Sequence, residues 1–363
     1  MNGGGAVQCL LLGSGFSRYL AGLPIQREFL RFITDDKKSR SMLDGPVPWA
    51  EPRKATIGKR STDLVDWIRT DGDIERVMSI LHNFAYSPIA CPASKHVAKK
   101  SIVNLRTRIA IALREPPLGP SFLRKRNHFL RWLQGWGGHR HLVVLTTNYD
   151  RVIENVFSPR SAPWIPPEIP IDSRLSQTGT ARSKPVWIDL YKLHGSIDWL
   201  EQREFRNREM VGISPLKITL RPPSDLERDS HAGFHGFRVN AGRRKIGTHP
   251  LFTPVLIPFF FQKEAWLSER WAPVLQRHWD SAFRRLSTHR VDRLAIIGTS
   301  FPQADHYLLS WILRLLHGKS FDNARRNKIV ISCRDATYSV RQRLGLDARN
   351  SNTTALSLED LRS

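Results

Sequence analysis

Ala6-Val7-Gln8-Cys9-Leu10-Leu11-Leu12-Gly13-Ser14-Gly15-Phe16-Ser17 is the stretch that decides the fold. A short apolar run stops at Gly13 and is followed by a second glycine. Its length and the glycines behind it favour a buried parallel strand over a helix. Pro24 then suits the first position of a helix, with Phe29, Leu30, Phe32 and Ile33 as its apolar face.

Four more strands of the same kind can be read further along: residues 141–147 (HLVVLTT), 186–193, 293–298 (RLAIIG) and 328–332 (KIVIS). Helical patterns separate them. Val152, Ile153 and Val156 follow the second strand. Trp266, Trp271, Leu275 and Trp279 mark a long amphipathic helix before the fourth, whose apolar face is core in preference to an interface. Residues 307–316 follow the fourth. Strands alternating with helices imply an α/β protein built on a doubly wound, Rossmann-like parallel sheet.

Between the first two strands, residues 35–60 hold Gly45, Pro46, Pro48, Pro52 and Gly58 and read as an exposed excursion. Residues 61–113 are mostly helical in pattern, with Asp73 as a cap, then helices over 96–113 and 121–133. The expected organisation is a discontinuous nucleotide domain, 1–34 and 140–345, with excursions near 159–184 and 201–250. A helical insertion occupies 35–139 and a tail occupies 346–363.

Composition narrows the class. The chain has 363 residues, 40% hydrophobic and 25% charged, as expected of a folded globular protein. It contains no apolar run of about 18 residues that could span a membrane. The first apolar run is too short for a signal h-region, so a cytoplasmic location is expected. Lys and Arg number 56 against 33 acids, a formal charge of +23. Residues 95–140 carry eleven Lys or Arg and one acid, Glu115. Such an excess suits direct nucleic-acid contact or an acidic partner, or is a solvated basic surface. The three cysteines, Cys9, Cys91 and Cys333, form no CxxC pair, so a paired-thiolate zinc site is not expected, nor any metal.

Ligands of open α/β sheets bind beyond the carboxyl ends of the strands. Four polar clusters fall there: GSGFS at 13–17, TNYD at 147–150, HGS at 194–196 and GTS at 298–300. Gly13, Ser14, Gly15 and Ser17 suit a dinucleotide pyrophosphate, with backbone N–H groups and a helix dipole behind them. The dehydrogenase fingerprint is absent, because Arg18 stands where its third glycine would be, and no GKS or GKT makes a P-loop. Asn148 can donate and accept at once, which suits a water and a ribose hydroxyl. His194 can act as a base near neutrality, since imidazole titrates near pH 6.5. Asp150 alternatively caps the helix that follows it.

Taken together these clusters resemble the sirtuin family. Gly13-Ser14-Gly15-Phe16-Ser17 with Gly22-Leu23-Pro24 is similar to its GAGxS…GIP signature, and Thr147-Asn148-Tyr149-Asp150 to its TQNxD motif. His194-Gly195 is similar to its catalytic HG pair, and Gly298-Thr299-Ser300 to its GTS motif. TTNYD, KLHGSIDW and GTSFPQAD are closest to the prokaryotic sirtuin-like branch, which includes NAD-hydrolysing effectors of antiviral defence. The resemblance implies a sirtuin-type fold and NAD as substrate, with Asn148 and His194 catalytic. It places Asp150 at the nicotinamide carboxamide, and Gly298, Thr299 and Ser300 at the adenosine ribose or a phosphate. Deacylases of the family carry a four-cysteine zinc ribbon, which three cysteines cannot build. GIPDFR is here Gly22-Leu23-Pro24-Ile25-Gln26-Arg27, a further departure that tells against acyl-lysine binding. The expected activity is therefore an NAD glycohydrolase, gated by homo-oligomer assembly or by an activating partner such as an ATPase or a nucleic-acid sensor. ADP-ribosyl transfer and NAD or ADP-ribose binding without turnover are the alternatives.

Overall fold

A computed structural model of the chain describes residues 6–25, 28, 31, 34, 67–69, 73–113, 119–137, 141–157, 188–206, 209–212, 218–220, 249–256, 272–299, 301, 305–317, 328–333, 337–346 and 353–355. Within them, a parallel sheet contains β1 (Val7–Leu12), β2 (His141–Thr146), β3 (Ile188–Lys192), β8 (Val291–Ile297), β9 (Lys328–Ser332) and β10 (Thr353–Ala355). The strand order is β10-β9-β8-β1-β2-β3, and every pairing is parallel. Counted in chain order within this sheet, that is 3-2-1-4-5-6, the doubly wound arrangement, whose switch point lies between its first and fourth strands. Here those strands are β1 and β8. Cys9 faces Val143 of β2 on one side and Leu294 of β8 on the other. Covered on both faces, β1 is buried along its whole length, which is why its sequence runs apolar without alternation.

A separate helix, not expected from the sequence, lies between β1 and Pro24. It is α1 (Ser14–Ala21), entered from Gly13 in extended backbone and closed by Gly22 at φ 70°, whose N–H donates to Arg18 O at 2.9 Å. Phe16 and Leu20, one turn apart, form its buried side. Residues 28, 31 and 34 are helical as well, but Phe29, Leu30, Phe32 and Ile33 lie outside the described residues.

Two compact units are distinguished: Met1–Leu23, Glu115–Gly195 and Ala272–Ser363 form one, and Pro24–Arg114 with Ser196–Trp271 the other. The second unit holds α2 (Ile74–Tyr86) and α3 (Pro92–Ala112). Asp73 does cap α2, its Oδ1 accepting from Arg76 N–H at 3.3 Å. This unit also holds a four-stranded sheet in which β4 (Gly195–Arg206) pairs antiparallel with β5 (Glu209–Gly212) and β6 (Ile218–Leu220) and also pairs with β7 (His249–Leu256). The polar stretch 201–250 therefore contains strands, although residues 221–248 lie outside the described residues.

In the first unit, α4 (Pro120–Gly137) packs on α1 rather than closing the helical insertion at 139. The rings of Phe16 and Phe129 meet edge to face at 4.9 Å, and Lys125 Nζ donates to Tyr19 O at 2.7 Å. Arg126 Nε donates to Val156 O in α5 (Val152–Phe157) at 2.5 Å. Burial of two such aromatic side chains contributes about 1.5–3 kcal/mol each. α6 (Ala272–Thr288) is pinned to the sheet at two points. Arg285 Nε lies 3.0 Å from the buried Asp189 Oδ2, which His141 Nε2 also approaches at 2.6 Å. Trp279 Nε1 donates to Leu193 O at 2.8 Å, so this tryptophan is core, while Trp266 and Trp271 lie outside the described residues. α7 (His306–His317) and α8 (Thr337–Arg343) complete the unit's described helices. Among the described residues, no helix is long and apolar enough to cross a membrane.

Candidate functional site

Because the sheet is parallel, the segments that leave β8, β1, β2 and β3 all emerge from one edge, side by side and in that order. Gly298-Thr299, Gly13–Ser17, Thr147–Asp150 and Leu193-His194 are those segments, so four clusters distant in sequence share one rim. Ser300 lies outside the described residues.

The turns after β1 and β8 touch through their glycines. Gly13 N–H donates to Ile297 O and Gly15 N–H to Gly298 O, each at 2.9 Å. A Cβ on Gly298 would lie 2.2 Å from Phe16 N, one on Gly13 2.6 Å from Gly298 O, and one on Gly15 2.9 Å from Gly298 Cα. Gly298 also sits at φ 69°. The glycines are thus required by the closeness of two backbones at the switch point. Their N–H groups donate to backbone carbonyls of the β8 turn, so any anion at this turn is met by other donors. Ser14 remains exposed at the first turn of α1, which has neither a side-chain cap nor an acid. That terminus favours an anion. On the β8 side, Thr299 is buried against the Gly13 turn, and Cys333 Sγ donates to its carbonyl at 2.8 Å. Phe301, buried, holds φ 49°, and Arg343 Nη1 donates to its carbonyl.

Asn148 joins the turns of β1 and β2. Its Nδ2 donates to Gly13 O at 2.9 Å and to Ser17 Oγ at 2.8 Å, while its own N–H is held by Thr146 Oγ1 at 3.0 Å. Thr146 Oγ1 in turn donates to Leu12 O at 3.0 Å. Both amide hydrogens are committed, so Asn148 offers a substrate its Oδ1, an acceptor, and not the mixed donor and acceptor the residue type alone suggests.

Ser17 is buried, and its hydroxyl bonds to the carboxylate of Asp150. This hydroxyl bridges Asn148 and Asp150 and so braces the site. Asp150 Oδ1 accepts from Val152 N–H at 2.9 Å, so this residue caps α5. Burial pushes its carboxyl above the usual aspartate value. The nearby Lys192 ammonium and the bonds from Val152 N–H and Ser17 oppose that rise. Lys192 itself is 1% exposed and donates to Asp150 O at 2.6 Å and Glu154 Oε1 at 2.8 Å. A buried ammonium needs such partners. Lys192 and Glu154 were not legible as site residues: a lysine at the end of an apolar strand and a glutamate in a helix carry no motif.

His194 follows β3, where Leu193 N–H donates to Thr146 O at 2.8 Å. Its ring centroid lies 6.3 Å from that of Tyr149, and its Nε2 is 3.4 Å from Asp305 Oδ1. Asp305 closes the GTSFPQAD run and stands immediately before α7. That motif contained the signal, but only the fold brings its last residue to the histidine.

Among the described residues, no group of three or more His, Cys, Asp or Glu could hold a metal ion. A comparison with curated proteins returns no match. The family model described as SIR2-like domain matches residues 142–214, the span that carries Asn148, Asp150 and His194. Over that span, about a fifth of the chain, the sequence is similar to SIR2-like domains, a family that uses NAD, and the doubly wound sheet is consistent with that similarity.

Proposed function

We propose that the chain is an NAD+ glycohydrolase that cleaves the bond between nicotinamide and ribose, and that it serves antiviral defence as a gated, NAD-depleting effector. The observation that carries this reading is the tie from Asn148 Nδ2 to Gly13 O and Ser17 Oγ, which sets an acceptor oxygen beside the glycine turn.

The chemistry asks little of a general acid. The ring nitrogen of NAD+ is positive, so it leaves neutral with the bonding electrons, through a transition state of oxocarbenium character. Water adds to the anomeric carbon and gives up a proton, so NAD+ and water become nicotinamide, ADP-ribose and a proton. Ser14, exposed at the first turn of α1, meets the pyrophosphate at the positive end of that helix, with Thr299 toward the adenosine side. Asn148 Oδ1 accepts from the attacking water or a ribose hydroxyl and fixes its lone pairs toward the reacting carbon. His194 takes the proton. Asp150 lies next to the nicotinamide end, where its buried carboxyl helps to keep water out. An ungated enzyme of this kind would exhaust its host's NAD, so activity depends on homo-oligomer assembly or on an activating partner, an ATPase or a nucleic-acid sensor.

The test is chromatography and mass spectrometry of NAD+ incubated with the chain over a range of protein concentrations. Nicotinamide and ADP-ribose should appear in equal amounts. Asn148→Ala and His194→Ala should each lower the rate by about 10²-fold or more, the usual contribution of a positioned acid–base group. Stoichiometric binding with intact NAD+ would make the chain a sensor, and ADP-ribose attached to another acceptor would make it a transferase.

A further inference from the structure

We propose that Asp305 is the positioning residue for His194, holding the proton on Nε2 and leaving Nδ1 as the nitrogen that accepts a proton from the attacking water; this assignment of a role rests on the NAD-cleavage reading. Asp305 Oδ1 lies 3.4 Å from His194 Nε2, and the two side chains are 7% and 5% exposed. At that burial the two groups face each other with little competing solvent. A carboxylate is acceptor-only when ionised, so the imidazole nitrogen facing it is the one that carries hydrogen. A neutral ring with hydrogen on Nε2 has its lone pair on Nδ1, and the tautomer is thereby chosen before substrate binds.

The placement of Asp305 supports the same role. It precedes α7, whose first turn contains no acidic residue. The positive end of that helix favours an anion at Asp305. The ring cannot swing away easily, because the turn behind it is held by Trp279 Nε1 on Leu193 O at 2.8 Å and by Leu193 N–H on Thr146 O at 2.8 Å. When Nδ1 takes a proton, the ring becomes a cation beside a buried carboxylate, which stabilises it at the moment the water is deprotonated. The bond that forms is Nδ1–H, the bond that breaks is an O–H of water, and the carboxylate stays ionised.

The experiment uses the full chain labelled with 15N-histidine. The chain has 13 histidines, so the His194 ring signals are assigned by their loss in His194→Gln. In the wild type, Nε2 should show the shift of a protonated ring nitrogen and Nδ1 that of a bare one. Asp305→Asn, whose amide can turn a donor toward the ring, should move the population toward Nδ1–H. Asp305→Glu should restore much of the wild-type pattern. In the cleavage assay Asp305→Asn should lower kcat by about 10²-fold with little change in KM, as a lost acid–base alignment does. A role confined to capping α7 would lower thermal stability while leaving the His194 ring signals unchanged. A wild-type His194 protonated on Nδ1 overturns the proposal without any variant having to fold, as does a ring spectrum unaffected by Asp305→Asn. If the wild type cleaves no NAD+ while the ring signals behave as described, the cleavage reading fails and the pairing of Asp305 with His194 stands.

Discussion

At the scale of single residues, the chain's polar groups at the sheet rim are joined before any ligand is considered. Asn148 reaches Gly13 and Ser17, Ser17 reaches Asp150, and Asp150 shares Lys192 with Glu154. The sequence names Asn148, Asp150 and His194 through their positions after apolar strands. It cannot give the orientation of the Asn148 amide, because the partners that set it lie more than a hundred residues away. Nor can it show that Ser17 points inward, since a serine in a glycine-rich turn serves a phosphate or a neighbour equally well. Asp150 carries a prediction of its own. Burial raises its folded-state pKa above the value of about 3.8 that it has when unfolded. A carboxyl shifted that way contributes stability below the unfolded value and loses it as pH rises through the folded one. Asp150→Asn keeps an acceptor for Val152 N–H but cannot ionise. Its Tm relative to wild type should therefore climb as pH is raised from about 4, followed by differential scanning fluorimetry. A difference constant across that range would mean that the buried carboxyl is not raised.

At the scale of elements, what matters is how two turns pass each other. α1 starts directly after Gly13, a helix the glycine-rich sequence 13–22 does not announce, while residues 28, 31 and 34 behind Pro24 are helical as its apolar pattern suggests. The switch-point geometry accounts for α1: the chain turns at once where β1 meets the β8 turn. β10 has no signal, because three residues of a polar tail have no periodicity to read, whereas the excursion at 201–250, open to a hairpin or a loop in the sequence, contains the β4–β5 hairpin. Gly298 and Gly22 separate two costs, since both lie near φ 70° but only Gly298 is hemmed in by backbone. Gly22→Ala should cost about 1 kcal/mol from the left-handed backbone alone, and Gly298→Ala about 2–4 kcal/mol because the methyl group meets Phe16 N. Urea unfolding of the two variants measures this. Equal losses would show that the approach of the β1 and β8 turns relaxes freely.

At the scale of the molecule, alternation of apolar strands with helices was enough to give the doubly wound sheet, and the resemblance of its four rim segments pointed to NAD. The division of the chain was less legible. Pro120–Gly137 looks like the end of a helical insertion, yet Phe129 packs it edge to face against Phe16 of α1 in the sheet unit. The basic run 95–140 looks like a surface, yet Arg106 and Arg108 are buried, and Lys125 and Arg126 bond to backbone carbonyls of α1 and α5. Part of that charge is therefore structural, and the net charge alone overstates what is left to meet a polyanion. The central claim is that one dinucleotide lies across the rim of the sheet at its switch point. A crystal structure of the chain soaked with ADP-ribose tests it most directly. The account predicts the diphosphate at the first turn of α1 by Ser14 and the anomeric carbon facing Asn148 Oδ1 and His194; ADP-ribose bound away from the carboxyl ends of β1, β2, β3 and β8 would contradict it.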